Sequence, residues 1–150
     1  MDYKAFEDNI KNFFSNNYKT YALEKNNALA YNIIVSKGFP DSDTSGQVNI
    51  FLLPMQYQYS ELTNDSKLMQ FEMKIFLLLK QLGKNSTTMS EYLRDYASAL
   101  HNMIYGNNTL GGAVDKSLIA NIEFFDEVEG FEGSKGFEAN ILLLAEVQGN

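Results

Sequence analysis

The chain contains no cysteine. That excludes disulfide frameworks, thiolate nucleophiles and zinc sites built on cysteine. It has a single histidine, His101, and only 12 Lys and Arg against 19 Asp and Glu, for a formal net charge of -7. So acidic a balance argues against ordinary nucleic-acid binding, which needs clustered cations on phosphates. It also gives no attraction to an anionic membrane surface. Apolar runs are short: the longest, Ile75 to Leu79, is far below the length of a membrane span. The opening MDYKAFEDNI puts acidic and polar residues where a signal peptide needs a basic end and an apolar run. The expectation is a soluble protein made inside the cell, with no membrane partner.

What is present is enough for a core. The 150 residues are 45% hydrophobic, which suits one folded domain spanning 1–150 and excludes a disordered tail. Tyr3, Phe6, Ile10, Phe13 and Phe14 follow helical spacing, with Asp2 near the start and Asn16-Asn17 as the expected stop. Ile33, Ile34 and Val35 suggest a strand, and Lys37 to Gly46 a loop. Val48, Ile50 and Leu52 alternate with polar residues, as in a half-buried strand. Pro54 lacks a backbone donor, so this strand is expected to be bulged or at an edge there, with Tyr57 and Tyr59 continuing it and Ser60 to Ser66 forming a turn.

Met69, Phe71, Met73 and Ile75 alternate in a further strand that continues toward Leu79. Thr88 and Glu91 have capping-box spacing ahead of a helix with the stripe Met89, Leu93, Tyr96, Ala97, Leu100 and Ile104, stopped by Gly106. Two strands then follow. Leu118, Ala120, Ile122 and Phe124 alternate in one, and Phe137, Ala139, Ile141, Leu143, Ala145 and Val147 in the other. Asp126 opens an acidic, glycine-rich turn between them. The pattern predicts an α+β fold: a mixed, mainly antiparallel sheet packed against two main helices.

Chemistry is hard to find in this pattern. His101 sits beside Ala97 and Ile104 on a helix, and a structural role is the simpler reading than a catalytic base. Asp41, Asp43 and Ser45 before Gly46 resemble the front half of a calcium loop, but Leu52 stands where the closing acid belongs. The outer glycine spacing of Gly106 to Gly112 is that of a phosphate loop without its lysine and hydroxyl, since Gly112 and Ala113 take those places. Asp126, Glu127, Glu129 and Glu132 read as solvated charge before they read as paired catalytic carboxylates. No catalytic residue, cofactor or metal site is expected.

One segment carries a resemblance. After a helix ending in small or polar residues comes Asn108-Thr109-Leu110-Gly111-Gly112-Ala113-Val114-Asp115, then a strand, a turn with glycines and a last alternating strand. This resembles the tail terminator or tail completion proteins of long-tailed bacteriophages, where Leu-Gly-Gly, one residue and Val precede the final hairpin. The layout of the whole chain is similar, and the recognisable residues run from about Asn108 to Val147. The resemblance implies a ring, typically of six subunits in that family, that caps the tail tube and joins tail to head. It implies no enzymatic activity and no cofactor. The implied partners are further copies of the chain, the tail tube protein and head–tail connector proteins, with DNA only passing through the lumen. The implied location is the virion neck, and the host cytoplasm during assembly.

On that basis Leu110, Gly111 and Gly112 are candidate assembly residues. Asp126, Glu127, Glu129 and Glu132 are candidates for the lumen or the next ring, where negative charge would let DNA slide. Another head–tail connector or tail component, a stand-alone bacterial protein-binding module, or an enzyme whose site is spread over the fold are the alternatives.

Overall fold

A computed structural model describes residues 1–38, 47–63, 65–80, 82–129 and 135–149, with 127–129 and 135 described in backbone only. The described residues form two helices and five strands in the order α1 (Tyr3–Lys25), β1 (Ile33–Lys37), β2 (Val48–Thr63), β3 (Ser66–Lys80), α2 (Ser86–Gly106), β4 (Lys116–Glu129) and β5 (Lys135–Gly149). The strands make one sheet in the order β1-β2-β3-β5-β4, with β1 parallel to β2 and every other pair antiparallel. The fold is α+β, with both helices packed against the sheet. Neither helix is long and apolar enough to cross a membrane.

α1 starts where Asp2 accepts a hydrogen bond from the Ala5 N–H at 3.0 Å. It does not stop at Asn16-Asn17. The Asn17 amide donates to the Phe13 carbonyl at 2.8 Å, along the helix, so the side chain does not compete for the free ends. Tyr18 and Ala22 extend the stripe of Phe6, Ile10 and Phe14, and burial of that stripe carries the helix to Lys25. α2 begins earlier than the Thr88–Glu91 spacing suggests. Asn85 is its N-cap and accepts from the Thr88 N–H at 2.8 Å, which places Thr88 inside the first turn. The two helices lock through Tyr18, whose hydroxyl donates to the Tyr96 carbonyl at 2.6 Å with both side chains buried.

β2, β3 and β5 follow their alternation. Ile50 and Leu52, then Met69 through Leu79 at odd positions, then Phe137, Ala139, Ile141, Leu143 and Ala145 are buried in one core with the helix stripes. β2 carries an irregularity between Pro54 and Gln56, as its proline requires, and continues through Tyr57 and Tyr59. The expected turn over Ser60 to Ser66 is tighter: β2 reaches Thr63 and β3 starts at Ser66.

β4 departs from its pattern. A register shift between Ile119 and Asn121 changes which face each residue takes, so Ile119 and Ile122 pack on the core while Leu118 is 48% exposed and Ala120 exposed. A bulge adds one residue, and one residue reverses a period of two.

Candidate assembly surface

The turn from α2 into β4 is built by backbone angles. Leu110, Gly111 and Gly112 have φ of 50, 73 and 92°, three successive residues in the left-handed region. Leu110 pays the strain of that conformation because its side chain is buried in the core. A Cβ on Gly111 would lie 3.0 Å from the Phe13 ring, whereas one on Gly112 would meet nothing within 4 Å. Gly112 and Val114 donate to the Thr109 carbonyl at 3.0 and 3.1 Å, and Ser117 Oγ donates to the Asn108 carbonyl at 2.7 Å. Asp115 closes the connection by accepting from the Gln148 N–H at 2.6 Å. Of the three candidates, Leu110 is therefore a core residue, while Gly111 is exposed but leaves no room for a side chain beside Phe13 of α1. Gly112 has open space around it, and both glycines line a groove of about 470 Å³ with Asn9, Asn12 and Asn16.

The acidic candidates lie elsewhere. Asp126 does not open a turn: β4 continues through it to Glu129, so Glu127 and Glu129 are strand positions. Asp126 accepts from both terminal nitrogens of Arg94, at 2.9 and 3.3 Å, and the guanidinium lies 4.5 Å from the Phe124 ring centre. That fork pins β4 to α2. Glu132 lies outside the described residues, as does the Asp41 to Gly46 loop. Leu52 is a buried core residue of β2. His101 is stacked on Tyr105, with ring centres 4.2 Å apart.

Two features were not predicted from sequence. The first is the state of the sheet edges. β1 covers β2 only from Val48 to Leu52, and among the described residues nothing pairs with that side of β2 further on. Met55, Tyr59 and Leu62 are 53, 49 and 51% exposed on this arm. At the opposite edge β4 is last in the sheet, with Leu118, Phe124 and Phe125 exposed. The second is a groove of about 240 Å³ on the helix-free face, floored by Leu144 and lined by Gln56, Gln58, Gln70, Lys116 and Leu118. The exposed apolar positions on β4 could not be read off because the bulge reverses its pattern.

α1 holds the arm in place. The Tyr57 hydroxyl donates to Glu7 at 2.6 Å, the Tyr3 and Tyr59 hydroxyls share a hydrogen bond at 2.7 Å, and Phe6 meets Phe71 edge-on at 5.1 Å. Burial, followed by the Glu7 carboxylate, pushes the Tyr57 phenol well above its usual range, so it stays a donor at all ordinary pH. Lys37 reaches Asp8 at 2.8 Å and ties β1 to the same helix, and this hydrogen bond holds the Asp8 carboxyl below its ordinary value. Glu138, on the helix-free face between Leu78 and Phe125, has its carboxyl raised by burial. No protein-family model and no curated protein matches the chain.

Proposed function

We propose that the protein is a virion assembly protein that forms a ring on the end of a phage tail tube and joins tail to head. The observation that carries this reading is the Leu110-Gly111-Gly112 turn. The short signature shared with tail terminators coincides with the one run of three successive left-handed residues among the described residues, between α2 and β4. Such a turn fixes the direction in which the following edge strand leaves the helix layer. Two sheet edges left uncovered among the described residues add support, because subunits that must close a ring need two different contact patches.

On this reading the chain works by self-association and by binding the tube and connector proteins, with no catalytic step. The acidic end of β4, with Glu127 and Glu129, and the neighbouring Glu132 are assigned to the lumen or to the contact with the next ring. Repulsion from phosphates there lets DNA pass without sticking.

The test is deletion of the gene from its phage or prophage, with lysates viewed by electron microscopy. Tails of uncontrolled length, not joined to heads, are expected. Normal-length tails on filled heads would end the tail-terminator reading.

A further inference from the structure

We infer that the subunits associate edge to edge, the first half of β4 in one copy adding as a strand to the β2 arm of the next. This rests on the ring reading and specifies its interface.

The geometry follows from the order of the sheet. Through β3 and β5 the registers align Leu53 of β2 with Asn121 of β4, Gln56 with Leu118, and Gln58 with Lys116. β2 and β4 run in opposite directions, since each of the three pairings between them is antiparallel. A copy displaced sideways, face kept to face, therefore presents its β4 to the neighbour's β2 as an antiparallel partner in the same rows.

The shapes of the two edges also match. β1 stops at Lys37, opposite Leu52, and among the described residues this leaves a step along β2 from Leu53 onward. The bulge in β4 lies between Ile119 and Asn121, at the row where that step begins, and the irregularity in β2 is beside it between Pro54 and Gln56. A bulge bends its strand and increases local twist. Lys116 to Ile119 can thus lie in the step while the remainder of β4 turns away from the neighbour's β1.

The side chains agree with this pairing. Leu118 comes to the row beside Met55, and both are about half exposed in the single chain. Lys116 comes to the row of Gln58, a polar position on the same face. Pairing two β4 strands with each other would leave the β2 arm uncovered in both copies, whereas head-to-tail addition covers the arm and the first half of β4 in every subunit.

The absence of native cysteine makes the test clean. Gln56→Cys and Leu118→Cys are made as separate proteins, one tagged so that the three possible disulfide-linked dimers differ in size. After mixing and mild oxidation, the mixed dimer should exceed either homodimer at least tenfold. Leu118→Lys, without added cysteine, should leave the melting temperature unchanged and abolish association, because a lysine on an edge strand opposes strand addition. Dominance of the Leu118→Cys homodimer, a statistical mixture of the three species, or no cross-link at the highest soluble concentration would each overturn the edge-to-edge interface. Those results leave the gene-deletion phenotype untouched, so failure of the interface and failure of the ring reading are separable.

Discussion

The two halves of β2 make the most instructive contrast in the molecule. From Val48 to Leu52 every residue is buried, the outward-alternating Asn49 and Phe51 included. From Met55 to Thr63 every residue is exposed except the half-buried Tyr57. Both halves are strand, and both pair with β3 in one ladder broken only by bulges. The difference comes from the neighbours: β1 flanks the first half, and the second is touched mainly by the N-terminal end of α1. Strand formation here depends on a partner strand, while burial depends on what else arrives.

The largest break in this contrast is a truncation in the closed half. Ile50→Ala should lose roughly 2–5 kcal/mol of stability, and Leu62→Ala on the arm less than about 0.5 kcal/mol, by denaturant unfolding. Equal losses would show that the arm is as well packed as the core. The next effect repeats the contrast within one turn. Gly111→Val meets both a left-handed φ and the Phe13 ring and should cost roughly 1–3 kcal/mol, whereas Gly112→Val faces only the φ penalty and should cost less. Unchanged melting in both variants would show the turn to be merely flexible.

Tyr57→Phe removes the hydroxyl that holds the arm to Glu7 while keeping the ring on Phe71. It should cost on the order of 1 kcal/mol and increase hydrogen exchange on the arm more than at Val48 to Leu52. Uniform exchange in the two halves would show that the hydrogen bond does not anchor the arm.

The smallest expected effect sharpens the contrast through pH. Glu138 belongs to the closed end of the sheet, level with Asn49, and burial raises its carboxyl above the ordinary value of 4.5. A raised carboxyl pKa means that ionisation weakens the fold, so the penalty is complete at neutral pH and vanishes once pH falls below the ordinary glutamate range. Glu138→Gln should therefore raise the melting temperature at pH 7, with the gain shrinking toward pH 4. A constant gain across that range would assign it to packing.

Much of the fold was legible because three strands keep strict alternation and α2 keeps one stripe. The misreadings have separate physical causes. Asn16-Asn17 looked like a stop because asparagine favours helix ends, but Tyr18 and Ala22 lie on the buried stripe and tertiary packing outweighs that preference. Thr88 and Glu91 had the right spacing, and Asn85, three residues earlier, took the cap instead. In β4, nothing local marks Ala120 as the extra residue, so the inward and outward sets were exchanged at Leu118.

For the candidate surface, the glycine pair was legible as special backbone, and the angles agree. The burial of Leu110 was not, since it depends on where α1 comes to rest. The parallel attachment of β1 pairs residues separated in sequence by the segment after Lys37, so the step beside β2 has no local signature either.

The position of β5 has a kinetic consequence. It comes after every other strand in the chain, yet it lies between β3 and β4. While the ribosome is still extending β4, neither β3 nor β4 has its central partner, and Met69 to Leu79 can close only against β2. The sheet is completed by one late insertion that joins segments some seventy residues apart, from Lys67 opposite Gly149 to Lys80 opposite Gly136. Productive folding is thus deferred until synthesis has passed β5. A nascent chain paused before Lys135 displays two unsatisfied strand borders at once, which makes that pause the moment of greatest exposure to aggregation and to chaperones.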